Sequence, residues 1–217
     1  MAVNVKKRSA HNIFFGKDAE TGMTKHISEV VSGAKCGCVC AFCLQPLEAR
    51  KGSQRRHHFA HVSNYDCEYS NEVAIYQRVS EILSRDKLLS VPEVFLKFNN
   101  WEKPTLLRSA QVLKLNDVQY HCEPLQYPPE LIVSAAGSRL RILIEFDDRY
   151  YDKRDISDLV SEGKVNDYSI LLLNMPRLTE GNEDFYTKEH LSRFFVGKDV
   201  PGGWMRSALE EKWRKRY

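Results

Sequence analysis

The residues able to do chemistry fall into two sets, one of sulfur and imidazole and one of carboxylates. Five of the six cysteines are Cys36, Cys38, Cys40, Cys43 and Cys67, while Cys122 stands apart. Within that stretch Cys40-Ala-Phe-Cys43 is followed by His58-Phe-Ala-His61. A Cys-x2-Cys turn presents two thiolates to one ion, and a second pair of donors completes the tetrahedron that zinc accepts. The spacing nominates Cys40, Cys43, His58 and His61 as a zinc site. Four protein ligands leave no open position for substrate, so this zinc is expected to be structural. Cys36, Cys38, His57 and Cys67 are close enough in sequence to replace one of the four. Alternation along a strand would set Cys36, Cys38 and Cys40 on one face, and Cys67 could stand in for a histidine or tie the module to the next helix. The competing reading is a set of reduced, buried cysteines beside a surface histidine patch.

The second set is Glu72, Glu130, Glu145 and Asp147. Glu145 lies in the most apolar stretch of the chain, Leu140-Arg-Ile-Leu-Ile-Glu-Phe, and period two puts Asp147 on its face. A carboxylate inside an apolar strand is costly unless it is paired or binds a metal. Carboxylates converging from a helix and two strands would hold Mg2+, which orients water and stabilises charge on a scissile phosphate. The alternative is a strand end reaching solvent. Arg50, Lys51, Arg55 and Arg56 lie between the two halves of the zinc motif and are candidate phosphate contacts; the alternative is a solvated turn.

Charge is distributed unevenly around a net value of +3. Residues 1–65 hold ten Lys or Arg against four Asp or Glu, residues 66–203 hold 17 against 23, and residues 204–217 hold five against two. Basic ends suit a polyanion and an acidic centre suits cations. Hydrophobic residues at 42% and charged residues at 28% mark a folded chain rather than a disordered one. No apolar run approaches the ~18 residues of a helical membrane span, so no membrane role is expected. The first residues show no apolar segment before a small-residue cleavage site. The expected setting is therefore the cytoplasm, where thiols stay reduced and bind metal rather than pair.

The elements that must position these groups follow from periodicity. Short strands are expected at 11–15 and 24–31, and Pro46-Leu-Glu-Ala-Arg reads as a strand into a turn. Apolar residues at 75, 79, 82 and 83 share one face of a helix over 71–85, with Ser70 or Asn71 at its N-terminus. Strands are expected at 93–98, 108–115, 118–123, 130–135 and 139–147. A short helix capped by Asp155, a buried strand from Tyr168, and helices near 187–196 and 204–216 follow. The core order is helix, three or more strands, helix, strand.

Cys40-x2-Cys43, Arg50-Lys-Gly, His58-Phe-Ala-His61 and Ser70-Asn-Glu72 opening a helix together resemble the competence protein CoiA-like family. Pro129-Glu130-Leu-Ile-Val and Leu143-Ile-Glu145-Phe fit the same order, and the resemblance covers roughly residues 35–175. It implies a small zinc-binding module fused to a restriction-endonuclease-like PD-(D/E)xK core of α+β or α/β class, a mixed sheet flanked by helices. It also implies Glu72, Glu130 and Glu145 as the acids on the first helix and on the second and third strands. The chain departs from that pattern in having Glu130 for the Asp, Asp147 for the lysine of Glu-x-Lys, and Tyr76 and Ser80 where the family helix often carries histidine and lysine. The lysine would orient the attacking water; Lys153 or Lys164 from the following helix could substitute. The expected organisation is 1–67 for the N-terminal strands and zinc module, 68–180 for the nuclease-like core, and 181–217 for a basic helical tail. The expected function is Mg2+-dependent phosphodiester hydrolysis on nucleic acid, DNA first, in DNA processing or defence. The rival is a catalytically decayed module on the same fold that binds nucleic acid or a protein partner.

Overall fold

The structure, a computed structural model, describes residues 12–63, 67–96, 103–146, 153–176, 186–197 and 202–215. It is a mixed α+β fold with four α-helices among the described residues. The chain divides into two compact units. Met1–Arg78 with Cys122–Tyr127 forms one, and Val79–His121 with Pro128–Tyr217 forms the other.

The first unit opens with β1 (Phe15–Asp18), β2 (Thr24–His26) and β3 (Cys38–Val39), an antiparallel sheet in the order β2-β1-β3. Asp18 turns the chain between β1 and β2, its carboxylate accepting from the backbone N–H groups of Glu20 and Thr21. Gly16 lets β1 approach β3 closely, since an added Cβ would lie 3.1 Å from the Cys38 Cβ. The expected strand over 24–31 stops at His26. There the imidazole accepts from the Ser28 N–H and the Glu29 carboxylate accepts from the His26 N–H at 2.7 Å, closing a reciprocal cap on a single 3-10 turn. A second hairpin pairs β4 (Leu47–Arg50) with β5 (His58–His61). Helix α1 (Ser70–Asp86) follows. Asn71 in its first turn accepts from the Phe14 N–H and donates to the Asn12 carbonyl, fixing the helix start to the chain entering β1.

In the second unit β6 (Leu88–Val91), β7 (Val94–Leu96), β8 (Thr105–Arg108) and β9 (Gln111–Lys114) make two ribbons, β6 with β9 and β7 with β8. The expected strand over 108–115 is thus interrupted at Ser109 and Ala110, where the chain passes from one ribbon to the other. The main sheet contains β10 (Asp117–His121), β11 (Glu130–Ala135), β12 (Ser138–Phe146), β13 (Tyr168–Met175) and β14 (Gly202–Arg206), in that spatial order. The first three form an antiparallel meander. Helix α2 (Lys153–Val165) then returns the chain so that β13 pairs parallel to β12. A parallel pair requires such a crossover. Leu140, Ile142, Leu143, Ile144 and Phe146 are all buried, as the apolar run requires of a central strand.

Helix α3 (Lys188–Val196) and helix α4 (Ala208–Arg214) complete the unit. The helix expected over 204–216 begins only at Ala208, because Gly202–Arg206 pairs with β13 instead. Gly202 permits that pairing: an added Cβ would lie 2.2 Å from the Leu172 carbonyl oxygen. No helix of the described residues is long and apolar enough to cross a membrane.

Candidate metal centre and carboxylate face

Cys40, Cys43, His61 and Cys67 bring one ligand atom each to within 4.8 Å of one another, the one such group among the described residues. Each comes from a different piece of local structure. Cys40 follows β3, and a turn closes at Cys43, with the Leu44 N–H donating to the Cys40 carbonyl at 3.0 Å and Leu44 itself at φ 60°. His61 ends β5 opposite Leu47 of β4. Cys67 directly precedes α1, and the Ser70 hydroxyl donates to its carbonyl at 3.3 Å. The Cys40 thiol donates to Ser70 Oγ at 3.3 Å, so the hydroxyl links the Cys40 sulfur to the Cys67 carbonyl.

Three sulfurs and one imidazole form a tetrahedral donor set of the kind zinc takes. With Zn–S of about 2.3 Å and Zn–N of about 2.0 Å, the edges of such a tetrahedron run about 3.5–3.8 Å. The Cys43 Sγ to His61 Nε2 separation of 3.3 Å is close to one such edge. The electrostatics agree. Hydrogen bonding from Cys67 pulls the Cys40 thiol down to about 3 against the opposing effect of burial, with His61 and Ser70 adding to the shift. Cys67 is pushed up by its hydrogen bond to Cys40 and by burial, and Cys43 is pushed up by burial. One sulfur ionises at the expense of its neighbours, and a dication would let all three do so.

Cys67, rather than His58, completes the set. His58 and His61 lie three apart on one strand, so their side chains leave opposite faces of β5. His58 is half-buried with Nδ1 2.9 Å from the Arg56 carbonyl, whereas His61 is buried. The repeated x2 spacing suggested two equivalent pairs, but period two in the strand breaks the second pair. Cys36 and Cys38 also stay out. The stretch expected to alternate as a strand contains a 3-10 turn at Ala34–Cys36 and a left-handed Gly37 at φ 68°. The Cys36 thiol donates to the Leu47 carbonyl and the Cys38 thiol to the Cys36 carbonyl. Burial pushes the Cys38 thiol up to about 12, an inert core sulfur.

The four basic residues divide. The Arg50 guanidinium pairs with Glu48 at 2.6 Å, and the Lys51 ammonium donates to the carbonyls of Val30 and Ser28, so both brace the module. Arg55 and Arg56 are exposed in the loop joining β4 to β5.

Among the acids, Glu72 is 6% exposed in the first turn of α1, within the first unit. Glu130 and Glu145 belong to the second unit and share a sheet face. The register pairs Ile132 with Arg141, so residues 130 and 132 of β11 and 141, 143 and 145 of β12 point the same way. Burial raises the Glu145 carboxyl above its ordinary value. Asp147 lies outside the described residues. Arg141, which sequence reasoning did not single out, sits on this face, 7% exposed and donating to Glu162 at 2.7 Å and to the Tyr168 hydroxyl at 3.1 Å. Its alternation with Leu140 and Ile142 was the available signal. Lys153 opens α2, while Lys164 lies in its last turn, beside the start of β13 and away from Glu145.

Residues 24–70 match the family model described as Competence protein CoiA, N-terminal domain. That segment contains β2 to β5, all four clustered ligands, and the first residue of α1. Over it the chain is similar to that family, in agreement with the resemblance read from the motifs. No curated protein and no solved structure matches the chain.

Proposed function

We propose that the chain is a zinc-containing DNA-processing or DNA-defence protein of the cytoplasm. Residues 68–180 would form a PD-(D/E)xK-like core that hydrolyses phosphodiesters with Mg2+. The observation that carries this reading is the order of elements. A helix with Glu72 in its first turn precedes a three-strand meander, a crossover helix and a parallel strand. Glu130 opens the second strand of that meander and Glu145 lies near the end of the third. Glu130 and Glu145 on one sheet face would supply the hard oxygen donors that Mg2+ takes, with Asp147, two residues on in the sequence, a further candidate. Partial burial raises the Glu145 carboxyl and so favours either its protonated form or a cation beside it. Bound there, Mg2+ would orient water and stabilise charge on the scissile phosphate. Zinc in the first unit supplies structure rather than chemistry, since Cys40, Cys43, His61 and Cys67 fill its four positions.

The second reading is a binding module on the same fold. It rests on one observation, that Asp147 stands where the water-orienting lysine belongs and Lys164 is at the wrong end of the sheet to replace it. Incubation of the full chain with labelled linear DNA and Mg2+ separates the two. The nuclease reading expects cleavage by the wild type, none by Glu145→Ala, and equal zinc content in both. DNA left intact by the wild type while still bound selects the binding module.

A further inference from the structure

An open groove of about 950 Å3 lies within the second unit between α2, the end of β14 and α4. Its floor is apolar, formed by Val160, Met205 and Ala208, and its walls carry five Lys or Arg against three Asp or Glu. Two of the acids are already matched: Glu211 pairs with Arg206 at 2.8 Å and Glu210 with Arg214 at 2.7 Å. Asp167 is the third. Among the described residues no carboxylate pairs with Lys164, Lys212 or Lys215, which leaves a positive surplus at the rim.

The groove is built rather than incidental. Arg206 is 7% exposed, is held by the Tyr168 carbonyl and Glu211, and has an Nε with no acceptor among the described residues. Gly163 of α2 admits its stem: an added Cβ would lie 3.2 Å from the Arg206 Cδ and 3.2 Å from the Tyr168 carbonyl oxygen. The buried Arg206–Glu211 pair thus fixes the wall of the groove, and the positive surplus comes from Lys164, Lys212 and Lys215. Lys212 and Lys215, three apart along the helical stretch, sit about 5–6 Å apart at their Cβ atoms. Free ammonium groups over an apolar floor fit a chain whose phosphates face the rim and whose sugars and bases face inward.

We infer that this groove is a nucleic-acid backbone site, set apart from Glu145 along the length of the strands. The inference rests on the nucleic-acid reading above and gives it a second point of attachment. The groove lies at the Tyr168 end of β13, paired with Arg139, whereas Glu145 pairs with Asn174 six residues further along. At about 3.3 Å per residue the two are about 20 Å apart. A duplex strand carries one phosphate per ~3.4 Å, so about six phosphates span that distance. The groove would therefore hold DNA at a distance from the site of chemistry, and its loss would act on binding rather than on the chemical step.

Fluorescence anisotropy of a labelled DNA oligonucleotide, titrated with the full chain over a range of salt without Mg2+, tests this. The triple variant Lys164→Gln/Lys212→Gln/Lys215→Gln should bind at least about tenfold more weakly, with a salt slope lower by about three units and unchanged zinc content. Wild-type affinity and slope in that variant overturn the groove. If Arg55→Gln/Arg56→Gln then loses affinity, the contact is in the β4–β5 loop and the nucleic-acid reading survives. No salt-dependent binding by the wild type overturns both. Equal affinity for polyglutamate, lost in the same triple variant, assigns the groove to an acidic protein instead.

Discussion

The unit that carries the cysteines and the unit that carries the main sheet are held together differently. The first has a core cluster of eight buried residues, Ile13, Ile27, Cys36, Cys38, Cys40, Leu47, Ala49 and Phe59. Three are cysteines and one is alanine, so sulfur makes up much of this cluster. Its strands run two to four residues. Strands this short pair over few residues, and a metal is a common supplement to such a fold. The second unit buries β12 and β13 between neighbours on both sides, with Ile142, Leu143, Ile144, Leu171 and Leu173 each at 0% exposure. The first unit thus gathers short strands around four potential metal ligands, whereas the second is held by the apolar interior of its sheet.

The largest expected effect breaks the first unit and spares the second. Structural zinc contributes about 10–16 kcal/mol in small zinc-folded peptides, so Cys67→Ala should release zinc and expose the chain around β4 and β5 to protease while β11 to β13 stay protected. His58→Ala should keep one zinc per chain. Zinc retained by Cys67→Ala but lost from His58→Ala would reverse the ligand assignment, and protection of both units after chelation would break the comparison itself.

A core deletion in the sheet acts the opposite way. Ile142→Ala should cost about 2–5 kcal/mol in urea or thermal unfolding of the second unit and leave the zinc content at the wild-type value. Zinc loss in that variant would show that the first unit depends on the second.

The smallest effect concerns pH. Burial raises the folded-state value of Glu145 above its ordinary 4.5, so the folded form holds the proton more tightly than the unfolded form. Stability from this group is therefore present below 4.5 and falls as pH rises through the raised folded value. Glu145→Gln should flatten that part of the stability profile measured without Mg2+, and added Mg2+ should oppose the fall in the wild type only. An identical profile in wild type and variant would show that burial does not hold the Glu145 proton.

Much of this was legible in the chain because its signals are local. The helix from Ser70, the central strand ending near Glu145, the parallel strand from Tyr168 and the Cys40/Cys43 turn each depend on period or spacing within one segment. Gly202 and Gly203 resisted such reading, since the sequence beyond them favours a helix and only the adjacent β13 backbone makes Trp204 and Met205 a strand. The carboxylates were nominated by spacing, yet which of them share a face depends on register: Ile132 opposite Arg141 puts Glu130, Arg141 and Glu145 together.

The sequence by itself determined that thiolates and imidazoles would gather near residues 40 to 67, because ligand types and the Cys-x2-Cys turn are short-range facts. Only the tertiary structure decided which four meet. A strand sends His58 and His61 to opposite faces, a left-handed Gly37 breaks the alternation of Cys36 with Cys38, whose thiols bond to backbone carbonyls instead, and the turn before α1 brings Cys67 to the cluster. A metal site is a coincidence of side chains in space, and positions along the chain set only who can attend.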